Sequence, residues 1–153
     1  FLQLAHAAVP AAGFNDFVPA PCLINRYEPG PRMSLHQDKN ERDFSQPIVS
    51  VSLGLPAIFQ FGGMQRSDKT VRVPLAHGDV VVWGGPSRLR FHGVLPLKAG
   101  VHPLLGAQRI NRPFPRPADT PYFLLQDYSC IDTSRVSLIS ATAIRLTRPA
   151  AVM

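Results

Sequence analysis

Residues 47–55 read PIVSVSLGL, and how this stretch is read decides the fold class. Apolar and small residues alternate at period two, the signature of a strand with one buried face. After Pro56 the segment AIFQFGG continues as a second strand and stops at the glycine pair Gly62-Gly63. TVRVPL (70–75) alternates again. HGDVVVWGG (77–85) reads as a turn, a buried strand and another turn. SRLRFHGVLPL (87–97) is expected to be a further strand, and QRIN (108–111) to open one more. On the upstream side CLINRYEP (22–29) has strand character. FLQLAHAAV (1–9) forms a short helix that ends near Pro10. Short strands at regular spacing, separated by Gly and Pro, predict an all-β sandwich or barrel.

The composition agrees. In 153 residues there are 16 prolines and 11 glycines, which favours strands and turns over long helices. A hydrophobic share of 45% and a charged share of 17% describe a chain that folds around a single core. No apolar run approaches the ~20 residues of a membrane span, and no signal peptide is visible. Cys22 and Cys130 lie far apart without paired spacing, which points to a reduced, cytoplasmic setting. The net charge of +6 invites a polyanionic partner, though only weakly by itself. Past Pro113 the character changes. PFPRPADTP (113–121) carries four prolines and cannot sustain a central strand. Residues 117–153 then read as a divergent tail with no assignable motif, and residues 1–15 as an N-terminal helical remnant.

LHQDKNERDF (35–44) sets a different question, because His36 and Asp38 stand one residue apart within a cluster of charge. On a strand, residues i and i+2 share a face, so the two side chains converge. A surface loop explains the pair equally cheaply. A 2-His-1-carboxylate site for Fe(II) needs one more histidine from a distant strand. His77 precedes Gly78-Asp79 and has the look of a turn residue; His102 precedes Pro103 and suggests a loop. His92, in RLRFHG, is the best placed of the three.

Read together, CLINRYEPGPRMSLHQDKNERDFSQPIVSVSLGLPAIFQFGG, HGDVVVWGGPSRLRFHGVLPLKAG and HPLLGAQRIN closely resemble the AlkB family of Fe(II)- and 2-oxoglutarate-dependent dioxygenases. The resemblance covers about Asp16 to Asn111. It implies a mainly β protein with a double-stranded β-helix (jelly-roll) core over residues 16–116, a short N-terminal helix and an irregular C-terminal tail. His36, Asp38 and His92 would then be the Fe(II) ligands, with 2-oxoglutarate and O2 as co-substrates and His77 and His102 outside the metal shell. Arg109 matches the family position that binds the far carboxylate of 2-oxoglutarate, a task suited to a permanently charged, forked donor. Asn111 shares its strand face, and Asn25 and Tyr27 match positions that hydrogen-bond the same ligand. The family's second arginine position holds Pro115, followed by Arg116, so either Arg116 takes over or co-substrate binding is impaired. Asn40 and Arg66 match positions near a flipped base. Trp83 is expected in the core, and Arg88 and Arg90 as strand-surface charges or phosphate contacts.

The implied activity is oxidative dealkylation of N-alkylated bases in DNA or RNA, single-stranded or flipped out of a duplex, by a monomeric protein away from membranes. The alternatives are a non-catalytic jelly roll that binds metal or nucleic acid, and a dioxygenase acting on a protein or small molecule. The family's nucleotide-recognition lid precedes the matched segment and is not in these 153 residues. This chain is therefore expected to bind iron better than it repairs bases.

Overall fold

Ile48–Gly54 is a strand, and both of its faces are buried instead of one. The reason lies far away in sequence. A computed structural model of the chain describes residues 2–15, 17, 24–40, 43–114, 137–139 and 143–146. Within it α1 (Leu2–Ala11) is followed by β1 (Asn25–Tyr27), β2 (Met33–His36), β3 (Ile48–Gly54), β4 (Ala57–Phe61) and β5 (Val71–Leu75). Then come β6 (Val80–Trp83), β7 (His92–Val94), β8 (Arg109–Phe114), β9 (Ser137–Ile139) and β10 (Ala143–Leu146). The order β1-β8-β3-β6-β10-β9 makes one sheet and β2-β7-β4-β5 the other, with the registered pairs antiparallel.

α1 presents Leu4, Ala5, Ala8 and Val9 as a stripe at i, i+1, i+4 and i+5, and all four are buried against Val49, Val51, Val80 and Val82. That covers the outer face of β3 and β6. Their inner face meets the smaller sheet: Ile48, Val81 and Trp83 pack with Ala57, Phe59, Phe61, Leu75 and Val94. The two sheets thus enclose an apolar layer, the jelly-roll arrangement expected from the sequence. Ser50 and Ser52 interrupt that layer on β3 and are themselves buried.

Three local expectations change. The strand over 87–97 shrinks to His92–Val94. A 3-10 turn at Gly85–Ser87, with proline at its start, occupies the chain before it. Arg88 N–H then bonds the Gly85 carbonyl and Arg90 N–H that of Ser87, so local turns replace the ladder there. His92 opens this shorter strand. In addition, β8 runs through Pro113, opposite Ser50 of β3. On its other side β1 pairs only with Arg109–Asn111, so among the described residues this half of β8 has one ladder neighbour, where proline is tolerated. Beyond 117, β10 adds to β6 over Ala143–Leu146, and β9 pairs with β10.

β2 and β7 approach unusually closely. A Cβ built on Gly93 would lie 2.7 Å from the Met33 carbonyl oxygen and 3.1 Å from the Ser34 carbonyl carbon, both backbone atoms. β2 also shifts register between Met33 and His36, which brings His36 directly opposite His92. Gly93→Ala should therefore force the two strands apart at a cost of roughly 1–3 kcal/mol, read as a lowered midpoint in urea unfolding.

Candidate metal and carboxylate site

The register of β2 on β7 makes His36 and His92 cross-strand neighbours, with ring centroids 4.4 Å apart. Each ring is oriented by a backbone carbonyl two residues earlier. His36 Nδ1 lies 2.9 Å from the Ser34 oxygen, and His92 Nδ1 lies 3.1 Å from the Arg90 oxygen. A carbonyl only accepts, so both Nδ1 atoms carry the proton and both Nε2 atoms offer a lone pair when the rings are neutral. Those Nε2 atoms face Asp38: His36 Nε2 is 3.4 Å from Oδ1, and His92 Nε2 is 3.3 Å from Oδ2. One ligand atom from each of the three residues lies within 4.8 Å of the others.

Asp38 arrives by a different route from the one expected. β2 stops at His36, and Asp38 sits in a turn where Lys39 N–H bonds the Gln37 carbonyl. The i, i+2 convergence comes from that turn, not from a continuing strand. Burial pushes the Asp38 carboxyl upward, but the hydrogen bonds and charges of His36 and His92 outweigh it and hold the group far below the usual carboxylate range. His36 is raised, first by its hydrogen bond to Asp38 and against the opposing effect of burial.

The larger sheet supplies the second half of the site. Arg109 is 1% exposed, a fully buried guanidinium. Its Nη2 donates to Ser52 Oγ at 3.0 Å, and its plane lies over the Tyr27 ring, 5.2 Å from the centroid. Its Nε and Nη1 have no hydrogen-bond partner among the described residues. Burial lowers the Arg109 pKa, with Tyr27 opposing, and burial raises that of Tyr27, so the phenol remains a neutral donor. Asn111, next on that face, accepts from Ser50 Oγ at 2.7 Å. Asn25 lies opposite Asn111 and Tyr27 opposite Arg109 across the β1–β8 pair. Sequence reasoning misses Ser50 and Ser52 as site residues. Their signal is present in PIVSVSLGL as hydroxyls at alternate positions of an otherwise apolar strand.

The remaining candidates fall at the rim or elsewhere. Asn40 is exposed in a bend. Arg66 is exposed over the Phe91 ring, 5.2 Å from its centroid, and its charge lowers the His36 pKa slightly, so it stands on the metal side. Arg116 and Pro115 lie outside the described residues. His77 and His102 stack on each other at 4.4 Å, with their Nδ1 atoms accepting from Gly54 N–H and Leu104 N–H. Trp83 is in the core as expected, 4.9 Å from the His92 ring, but its buried Nε1–H also lacks a partner among the described residues.

Two neutral imidazoles and a carboxylate are a donor set that suits Fe(II), and the unpaired N–H groups of Arg109 suit a carboxylate. Residues 1–114 match the family model of the 2OG-Fe(II) oxygenase superfamily. The chain belongs to that superfamily and, within it, to the AlkB family. It is 62% identical over 114 residues to alpha-ketoglutarate-dependent dioxygenase AlkB of Escherichia coli, covering 74% of this chain and 53% of that protein. It is also 35% identical over 91 residues to nucleic acid dioxygenase ALKBH1 of Homo sapiens, covering 60% of this chain and 23% of that one. The solved structure of OsALKBH1 superposes with a TM-score of 0.58 at 35% identity, over 73% of this chain and 59% of that one. The chain spans about half the length of the bacterial relative. The cofactors of the superfamily are Fe(II) and 2-oxoglutarate, and the two halves of the site fit both.

The pKa shifts set opposite pH responses for the metal-free and metal-bound forms. His36, raised from 6.5, stabilises the metal-free fold below that value, and the benefit is lost as pH rises through its folded pKa. Asp38, lowered from 3.8, stabilises above that value, and the benefit is lost as pH falls. Metal-free stability should thus peak between these values. A divalent ion needs the His36 Nε2 proton removed, so the metal-induced rise in Tm should grow from about pH 6 to about pH 8. Thermal melts with and without Co(II) across that range check both signs.

Proposed function

We propose that this chain is an Fe(II)- and 2-oxoglutarate-dependent dioxygenase that removes alkyl groups from damaged bases in DNA or RNA. The observation that carries the reading is the buried Arg109, whose Nε and Nη1 have no hydrogen-bond partner among the described residues, on the sheet facing a His-Asp-His cluster. In this reading His36, Asp38 and His92 hold the metal. Arg109 binds the far carboxylate of 2-oxoglutarate, and Tyr27, Asn25 and Asn111 orient it. The metal, with its co-substrate and O2, supplies the oxidation: 2-oxoglutarate goes to succinate and CO2, and the N-alkyl carbon is hydroxylated and lost as an aldehyde. The protein contributes placement. The Nδ1–H bonds to Ser34 and Arg90 fix the tautomer that leaves both Nε2 atoms available. Phe59 and Trp83 pack beside His92 and keep the inner wall apolar, which limits water around the reacting carbon.

A nucleic-acid substrate is supported by the name of the human relative, a nucleic acid dioxygenase, and by the +6 charge of this chain. Asn40 and Arg66 are exposed where a base, single-stranded or flipped, could be met from the metal side. The chain is read as a monomer working in the cytoplasm; among the described residues no helix is long and apolar enough to cross a membrane. Arg116 is assigned the role of a substitute second arginine. Residues 16–116 are read as the dioxygenase domain.

Succinate release with and without a methylated oligonucleotide tests the whole reading. Release that depends on the methylated strand is expected; release indifferent to it would move the substrate to another class. Arg109→Lys should weaken 2-oxoglutarate binding by about tenfold or more, because a point charge cannot replace two parallel N–H donors. Unchanged affinity by calorimetry would remove Arg109 from the site. Asp38→Ala should abolish Co(II) binding while leaving the far-UV spectrum unchanged.

A further inference from the structure

Asp38 is a proposed metal ligand whose backbone lies beyond the end of β2, where no ladder holds it. Something else must fix a carboxylate that has to meet two imidazoles within a fraction of an ångström. Arg88 was expected as a strand-surface charge or a phosphate contact. It is instead 2% exposed. Its Nη1 donates to the Asp38 carbonyl and its Nε to the Gln46 carbonyl, each at 3.0 Å. Its guanidinium also lies over the Phe44 ring, 5.5 Å from the centroid. One rigid fork therefore reaches both ends of the segment that runs from Asp38 to the start of β3. From the opposite side, Gln37 Nε2 donates to the Leu89 carbonyl, next to Arg88. The two bonds are reciprocal. The segment carrying Asp38 reaches into the turn before His92, and that turn reaches back to the backbone of Asp38.

We infer that Arg88 and Gln37 form a staple that positions the Asp38 carboxylate against His36 and His92. This rests on the metal reading of those three residues. Arg88 touches no reacting atom; it acts through the Asp38 backbone. The geometry needs a fork, since the Asp38 and Gln46 carbonyls are served by different nitrogens of one planar group. The sequence separation is 50 residues from Arg88 to Asp38 and 52 from Gln37 to Leu89, so the staple joins two parts of the chain that local structure does not join.

The test uses the full chain with Co(II) as probe, because its visible d–d bands report ligand number and geometry directly. Arg88→Gln, Arg88→Lys and Gln37→Met are compared with the unaltered chain by far-UV circular dichroism, metal-free Tm and Co(II) titration. Loss of such a supporting contact is expected to weaken Co(II) binding by about 10–100-fold, with the d–d bands displaced from those of the unaltered chain as the carboxylate ligand is misplaced. Arg88→Lys, which can serve one carbonyl but not both, should recover part of the affinity. Gln37→Met should shift the bands the same way, and it carries the test if Arg88→Gln fails to fold. Unaltered bands and affinity in the folded variants would overturn the staple and leave the metal reading standing. The staple is likewise overturned if affinity falls only in step with metal-free Tm while the bands stay unchanged. An unaltered chain that binds no Co(II) would instead sink the metal reading itself, and the staple with it.

Discussion

A guanidinium buried between two sheets constrains everything around it. Transferring a charge into an interior costs several kcal/mol after relaxation unless it is paired and hydrogen-bonded. Among the described residues, Arg109 donates through Nη2 to Ser52 at 3.0 Å and to Asn111 Oδ1 at 3.5 Å, and it rests on the ring face of Tyr27. Its Nε and Nη1 have no hydrogen-bond partner among the described residues. A fold that evolved only for stability would place a leucine there. The neighbours make sense as company for an anion: hydroxyls at Ser50 and Ser52, an amide at Asn111 and a neutral phenol at Tyr27, on otherwise apolar strands.

The division between sheets follows from that constraint. The larger sheet holds the buried cation Arg109, and the smaller holds both histidines at a single cross-strand pair. Their separation is set by the apolar layer between them, where Phe59, Phe61 and Trp83 pack against one another and Trp83 lies against His92. Packing is therefore part of the site. Volume changes in this layer move one half of the site relative to the other, and cores at native density do not absorb such changes silently.

Much of this was legible in the chain because it rests on short-range signals. Period-two alternation located β3 and β5, the apolar runs between turns located β4 and β6, and the Gly/Pro punctuation separated them. The HQD triplet raised the question of a metal, and the family resemblance of the longer words implied His92 and Arg109 as its candidate companions. What was not legible depends on contacts between distant segments. PIVSVSLGL reads as half-buried, and nothing within it reports that α1 will cover its other face. SRLRFHG reads as one strand because its alternation is good; the 3-10 turn that interrupts it depends on Pro86 and on bonds to Gly85 and Ser87 carbonyls. Arg88 and Arg90 look alike in sequence, two apart on the same apparent strand. Only the folded chain separates a cation holding the Asp38 backbone from one that bonds the Gly62 carbonyl and covers Phe61.

That last contrast bears on how such a site is built. The two histidines are placed by β-pairing, where the absence of a Cβ at Gly93 leaves room for the β2 backbone and the register puts the rings opposite each other. The aspartate has no such support and is placed by side chains reaching to backbone carbonyls. A pairing register is quantised, since a slip of one residue turns every side chain to the other face. A turn held by a guanidinium is not, and it can yield by tenths of an ångström. Of the three candidate ligands, Asp38 is thus the one whose position the rest of the sequence can tune continuously and, in the metal reading, the one through which distant substitutions should reach a bound ion.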